Sequence, residues 1–396
     1  MKVLVFGTGI ENAFVLALAE AGNQVYYYTD YLSPYPSFDD YANGLGFANV
    51  EKIHDFFNYV DKVDVIATFD CYGGDLLEYL KRKGYKTFGG GNAVELELDR
   101  KLLKSVLKSV GIPAPDYKIV KGIKDIKPPA VVKLSIFRGS IETFRVMNEA
   151  QKRNLEIRLR KEFGEFLDDF EFIVEEVIDD DKLVEAGIDA VYNNGFQFPM
   201  LFGVEYRKGV YIGKVVESLS ELPKGIQETV VKLDVVLRRL GYKGFISTEE
   251  FVNPRTSEHY FLDICIRPPY PLGLGYRYAI KNFTDVVLKD AKPQYRGKYY
   301  VAVPVDFPEA KDYFTYVKFP ENDKRYNFTA LGKIGRHYYV PKGEDYSGCV
   351  CEMFDELNID KIYSKMQDLL SKLEGGTDRL EDLRPAYEEV RKLWRT

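Results

Sequence analysis

Cysteine is scarce in this chain, with only Cys71, Cys265, Cys349 and Cys351 in 396 residues. So sparse and irregular a set excludes the disulfide framework of a small secreted domain and points to a reducing compartment, the cytoplasm. Cys349 and Cys351 flank a single residue, with no nearby histidine or second pair, so they read as buried strand residues rather than as a zinc site. Long apolar runs are also missing: none reaches the ~18 residues of a membrane span, and the opening stretch is too short for an export signal. No membrane partner is expected. Nor does one sign of charge dominate: 55 Lys and Arg stand against 61 Asp and Glu, for a net charge of -6. That gives no general pull towards nucleic acid. The three histidines, His54, His259 and His337, fall in no nucleophile, triad or metal motif, so histidine chemistry is not expected.

What is present is a globular composition, 45% hydrophobic and 29% charged, with 30 Tyr and 26 Phe beside one Trp. The length implies two or three cores. Residues 2–6 form a short apolar run ending at Gly7-Thr8-Gly9, and residues 13–21 continue with helical character. Strands at 25–28 and 63–67 and a helix at 76–83 extend this alternation, which implies a parallel α/β domain. A helix is expected over 93–110, stopped by Gly111-Ile112-Pro113-Ala114-Pro115. Beyond it, strands are expected at 130–134, 143–147, 172–178, 188–192, 201–206, 210–216, 245–252 and 260–266. Charged helices over 148–166 and 224–240 lie among them. A last part from residue 294 carries strands at 299–303 and 338–340 and helices at 357–373 and 380–393.

Several residues invite chemistry on their own. Gly7 and Gly9 leave room for backbone amides to approach an anion, but Asn12 stands where G-x-G-x-x-G needs its last glycine, so a dinucleotide site is not supported. Lys133 ends an apolar strand, where an ammonium is costly to bury unless it meets an anion. Glu249 or Glu250, which face opposite sides of one strand, and Asp263 on the next could meet across a hairpin. Hard oxygen donors of this kind suit Mg²⁺ bridged to nucleotide phosphates.

The order of these features resembles the ATP-grasp superfamily of carboxylate-amine ligases. Leu98-Asp99-Arg100-Lys101 precedes the proline turn, Ala130-Val131-Val132-Lys133 precedes Arg138-Gly139-Ser140, and Glu175-Glu176-Val177-Ile178, Glu249-Glu250-Phe251 and Asp263-Ile264-Cys265-Ile266-Arg267 follow. The branch it looks most like is that of the phosphoribosylamine-glycine ligases. The resemblance implies an α/β and α+β fold: a Rossmann-like domain at 1–92, an ATP-grasp domain at 93–293 with a smaller ATP-covering part at about 115–185, and a C-terminal lobe at 294–396. It implies ATP and Mg²⁺, a small-molecule carboxylate such as an amino acid, and an amine. Arg100, Lys133 and Ser140 are then expected at the phosphates, Glu175 and Val177 at adenine, and Glu185 at the ribose. Glu249, favoured over Glu250 by its spacing after Gly244, and Asp263 are expected at the metal. Arg267 is expected at the charge that develops on the acyl phosphate, and Gly7, Gly9 and Glu11 at the amine substrate.

The chain also departs from the pattern. Ile10 and Asn12 replace a cation and an imidazole of the ligase loop, which points to a different amine, for example a modified nucleotide or nucleobase. Cys265 replaces an oxygen ligand with sulfur, which Mg²⁺ does not favour. An inactive descendant used as a nucleotide-binding or assembly module is the alternative from another class. A Rossmann-type oxidoreductase is the weaker third. Oligomeric state is not legible from the sequence.

Overall fold

The apolar run Lys2–Phe6 forms β1, whose residues after Lys2 are buried on both faces, as the centre of a parallel sheet requires. The computed structural model describes residues 1–29, 43–135, 143–178, 182–207, 209–343 and 347–394. β2 (Gln24–Tyr28), β3 (Val50–Lys52), β4 (Val65–Ala67) and β5 (Thr87–Phe88) complete the order β3-β2-β1-β4-β5. The chain leaves β1 towards β2 on one side and reaches β4 on the other. Residues 7–11 and 68–73 therefore meet beyond the carboxyl ends of β1 and β4, at the switch point where open α/β sheets present a crevice.

A second sheet has its own core. β6 (Tyr117–Lys121), β7 (Ala130–Leu134), β8 (Thr143–Val146) and β9 (Glu171–Glu175) pair in the antiparallel order β6-β9-β7-β8. Leu155 and Leu159 of helix Glu149–Phe163 pack against Val132, Leu134 and Phe172. The side chain of Asn148 caps that helix by accepting the Gln151 amide. No strand is expected at β6, because four of its five residues lack burial and leave no alternating pattern to read.

The largest sheet carries nine strands. They are β10 (Val184–Asn193), β11 (Phe196–Tyr206), β12 (Val210–Val216), β13 (Lys243–Val252), β14 (His259–Cys265) and β15 (Tyr299–Asp306), then β17 (Tyr326–Phe328), β20 (Ser347–Phe354) and β21 (Thr377–Asp378). Their order is β14-β13-β10-β11-β12-β15-β20-β17, with β21 on β15. β16 (Thr315–Val317), β18 (Gly332–Ile334) and β19 (His337–Val340) form a small separate sheet. Helices Lys224–Arg239, Ile359–Leu370 and Leu383–Trp394 contribute Leu233, Met366 and Val390 to the core that also holds Ile188 and Ile212. Cys349 and Cys351 lie buried in β20, as expected of strand cysteines.

The ring surplus has a definite place. Phe14 of helix Asn12–Glu20 stacks on Phe283 at 5.4 Å and lies 4.7 Å from Phe69, while Phe245 of β13 lies 5.9 Å from Phe283. These rings join the first domain to the face of the large sheet that the helices above leave open, each pair adding about 0.5–1.5 kcal/mol beyond simple burial.

Two expectations need correction. The single helix over 93–110 is broken at Asp99, which is extended (φ −114°, ψ 97°) and caps helix Arg100–Val110 by accepting the amides of Lys101 and Leu102. A carboxylate at the N-cap outweighs the unbroken helical pattern. The strand over 172–178 ends at Glu175, so Glu176, Val177 and Ile178 leave the sheet. The turn at 136–142 with Arg138, Gly139 and Ser140 lies outside the described residues. Among the described residues no helix is long and apolar enough to cross a membrane.

Candidate active site

Three cations converge where the second sheet meets the large one. Lys133, last but one in β7, donates to Leu262 O at 3.0 Å and pairs with Glu175 Oε2 at 3.1 Å. Lys104, one helical turn beyond Arg100, pairs with the other oxygen of Glu175. Arg100 donates to Leu134 O at 2.7 Å and pairs with Asp263 Oδ2 at 3.3 Å. Arg100, Lys104 and Lys133 are all at most 5% exposed. Burial lowers the Lys104 pKa, opposed by the Glu175 carboxylate. Among the described residues, Arg100, Lys104 and Lys133 thus pair with the carboxylates of Asp263 and Glu175, and cations gathered in this way suit a phosphate.

Asp263 carries this cluster to a hairpin of acids. On β13 and β14, Glu249 stands directly opposite Asp263, with a bulge between Glu249 and Glu250. The half-buried Glu249 has no hydrogen bond or ion pair among the described residues. A carboxylate held there without a protein cation, beside a second one, is a fitting pair of donors for Mg²⁺. Glu250 faces the other way, is fully buried and accepts from Thr229 Oγ1 at 2.8 Å. On the Glu249 side, Glu185, Asp189, Glu205 and Glu249 line a narrow cleft of about 30 Å³. Asp189 is buried there and accepts from Tyr211 Oη.

Burial raises the Glu250 pKa to about 8. In the unfolded chain this carboxyl ionises near its ordinary value of 4.5, so between those two values the folded state binds more protons. Its contribution to stability is complete below pH ~4.5 and is lost as pH rises towards 8, at up to about 1.4 kcal/mol per pH unit. Denaturant midpoints at pH 5, 6, 7 and 8 are expected to fall in the wild type and to fall less steeply in Glu250→Gln. Parallel slopes would refute the assignment.

The crevice beyond β1 and β4 continues the site. A Cβ at Gly7 would come within 2.5 Å of Glu11 Oε2, so the room that this glycine leaves is taken by the Glu11 carboxyl rather than left open. Gly9 (φ 99°) donates its amide to Glu11 Oε1 at 3.3 Å. Glu11 is fully buried, and burial, aided by Asp70, raises its pKa to about 8. Asp70 accepts the Thr8 hydroxyl and amide and, at 2.7 Å, the Cys71 amide. Arg267 links crevice and hairpin: two residues after Cys265, it lies within electrostatic reach of Asp70 and Cys71. Its Nε donates to Glu97 Oε1 at 2.9 Å, Glu97 also accepts the Ile266 amide at 2.7 Å, and the guanidinium sits 5.2 Å from the Tyr270 ring.

The residues singled out in the sequence therefore fall into two connected groups. Arg100, Lys133, Glu175, Glu249, Asp263 and Arg267 border one path along the sheet edge, with Glu185 on the adjoining strand. Gly7, Gly9 and Glu11 border the crevice at its end. Val177 is half-buried just past β9. Lys104, Glu97 and Asp70 were missed. The helical spacing from Arg100 to Lys104 could have shown the first, and the glycines at 73 and 74 after a strand could have marked the loop that holds Asp70.

No protein-family model matches the chain, and no curated protein matches it in sequence. Solved structures do. Phosphoribosylamine-glycine ligase from Thermotoga maritima superposes with a TM-score of 0.65 at 18% identity, over 96% of this chain and 99% of that one. N5-carboxyaminoimidazole ribonucleotide synthetase from the same organism gives 0.58 at 17%, over 94% and 98%. The biotin carboxylase domain of Hydrogenobacter thermophilus 2-oxoglutarate carboxylase, solved with MgADP, ADP and bicarbonate, gives 0.66 at 15%, over 98% and 93%.

Proposed function

Because the chain has the ATP-grasp fold over nearly its whole length, we propose that it is an ATP- and Mg²⁺-dependent ligase joining a small carboxylate to an amine. The observation that carries this reading is the continuity of the site. Arg100 ties the phosphate-suited cluster of Lys104 and Lys133 to Asp263, and Asp263 stands opposite the unpaired Glu249. ATP with its metal supplies the phosphoryl group that activates the carboxylate for attack by the amine. The residues' own task is to position and to stabilise charge. Arg100, Lys104 and Lys133 hold phosphate oxygens, with Ser140 as a further contact. Glu249 and Asp263 hold the cation, and backbone at Glu175 and Val177 meets the adenine edge, with Glu185 at the ribose. Arg267, oriented by Glu97, faces the negative charge that builds at the reacting carboxylate.

The amine enters at the crevice of Gly7, Gly9 and Glu11. Asn12 presents it no free donor, since its amide donates to Asn43 Oδ1 at 2.8 Å and Leu331 O at 3.2 Å. With Ile10 beside it and Asp70 across the crevice, this end suits an amine without a phosphate, such as one on a nucleobase. Cys265, half-buried where oxygen serves the resembling ligases, favours a second reading, a nucleotide-binding protein without turnover.

The test is ADP release by the purified protein with ATP and Mg²⁺, across panels of small carboxylates and amines. Release that requires one acid and one amine together supports the ligase, and nucleotide binding without turnover on any pair favours the second reading. Asp263→Asn is expected to remove Mg²⁺-dependent turnover while the protein stays folded by circular dichroism. Unchanged turnover in that variant would overturn the metal assignment.

A further inference from the structure

The small sheet of β16, β18 and β19 carries none of the residues assigned to the ligase chemistry, and its two faces differ. Thr315, Val317 and Val340 turn inward and are at most 5% exposed. The other face is open to solvent. Tyr316 of β16 stands opposite Tyr339 of β19, and Ile334 of β18 stands opposite His337. Residues directly opposite each other, and those two apart on one strand, share a face. The Tyr316 ring accordingly lies 5.8 Å from His337 and 6.0 Å from Tyr339. Phe314, two residues before Tyr316, extends this surface, and Phe314, Tyr316 and Ile334 are 48%, 44% and 61% exposed, with Tyr313 exposed beside them.

The edges of the sheet are already taken. Beside β18, Lys333 donates its amide to Leu45 O at 2.8 Å, and beside β16, Lys318 and Glu374 exchange backbone hydrogen bonds at 3.2 and 2.9 Å. A further strand finds no free run of backbone there, so a partner must cover the face rather than lengthen the sheet. Three rings of about 200 Å² each, about half exposed, present with Ile334 roughly 400 Å² of apolar surface. A stable interface buries about 800 Å² per partner, with an apolar centre and a polar rim. The face has the size of such a centre.

The charges at its rim select the occupant. Pairing of Thr315 with Val340 puts the residues before β16 at one end of the sheet, and pairing of Val317 with Tyr338 puts Arg336 at the other. The Gly343 amide, 3.0 Å from Ala310 O, belongs to the first end. Exposed Glu309, Lys311, Asp312 and Lys342 lie there, while the second end has exposed Arg336 and the Lys318–Glu374 pair. The side chains of Glu309, Lys311, Asp312, Arg336 and Lys342 have no hydrogen bond or ion pair among the described residues. A rim of both signs does not suit a nucleic acid or an anionic membrane, which call for cations alone. It suits a surface that meets itself. If a two-fold axis lies in the interface and crosses the strands, the Arg336 end of each copy covers the Asp312 end of the other. We propose that this face joins two copies of the chain in a two-fold dimer, with Phe314, Tyr316, Ile334 and Tyr339 at its centre and Arg336 of each copy on Asp312 of the other.

The test is sedimentation velocity of the full chain over a concentration series, which needs neither substrate nor turnover. Monomer is expected to give way to dimer between about 1 and 100 μM, the range of a modest interface. Tyr316→Ser is expected to raise the Kd at least about tenfold, the loss of one aromatic anchor. Asp312→Arg and Arg336→Asp are each expected to weaken association as much, with far-UV circular dichroism unchanged because all three positions are exposed. An equimolar mixture of the two charge variants is expected to recover wild-type association, since their heterodimer has opposite charges at both contacts. A monomer at every concentration, a dimer that neither Tyr316→Ser nor Arg336→Asp weakens, or a mixture as monomeric as its two parts would overturn the proposal. So would a monomer that binds single-stranded RNA or anionic vesicles through this face, with that binding lost in Tyr316→Ser.

Discussion

Arg267→Met is expected to lower turnover about 10²–10³-fold, the scale of losing one preorganised group that faces developing charge. Glu97 holds the Nε, so the guanidinium is aimed before substrate arrives and little reorganisation accompanies the reaction. ATP affinity should change little, since Arg100, Lys104 and Lys133 rather than Arg267 are the cations proposed at its phosphates. Stability should fall too. Glu97 is fully buried and would lose the cation that its carboxylate pairs with, and breaking a buried pair from one side costs about 3–5 kcal/mol. The double variant Glu97→Gln/Arg267→Met separates the two losses: it should regain part of the stability and none of the turnover. A folded Arg267→Met enzyme within threefold of wild-type turnover, by steady-state ADP release, would make Arg267 a purely structural partner of Glu97.

The second large effect concerns Glu175, whose carboxylate is the shared anion of Lys104 and Lys133. Glu175→Gln leaves two buried ammonium groups facing each other, at a cost of about 3–5 kcal/mol. Burial already lowers the Lys104 pKa below that of the unfolded chain, and losing the opposing carboxylate lowers it further. The unfolded chain then binds more protons over the upper pH range, so the variant's deficit should be greatest near neutrality and shrink as pH rises towards 10. MgATP should raise the Tm of Glu175→Gln more than that of the wild type, because its phosphates would supply the missing anion. Equal shifts in both proteins would mean that these lysines do not face the nucleotide. Lys133→Met, by contrast, should weaken ATP binding without this pH signature.

Much of this architecture was legible because it rests on patterns that repeat along the chain. Alternating strands and helices gave the first domain, and the order of short motifs gave the ATP-grasp fold. Placing Glu249 opposite Asp263 follows from hairpin pairing, though only the bulge and the Thr229 contact show how fully Glu250 is turned away. Features that depend on distant chain segments were not legible. β6 carries no burial pattern of its own, and its place comes from pairing with β9. The Lys104 and Lys133 ammonium groups share a carboxylate only because helix Arg100–Val110 and the second sheet meet in space. Glu97 lies 170 residues before Arg267, too far for spacing to connect them. The aromatic surplus could be counted but not located, because its role is to join two domains.

The large sheet does not stop where the ATP-grasp part was expected to end. β15 pairs with β12 along four residues, from Tyr299 to Ala302, and β20 continues beyond it. A protein cut after residue 293 would therefore not simply lose an appendage. It would expose β12 as a raw border of unmet amides and carbonyls, the template on which chains of one kind stick to each other. The last hundred residues act as the selvedge of this sheet, and a shortened protein that precipitates would say more about its fabric than about its chemistry.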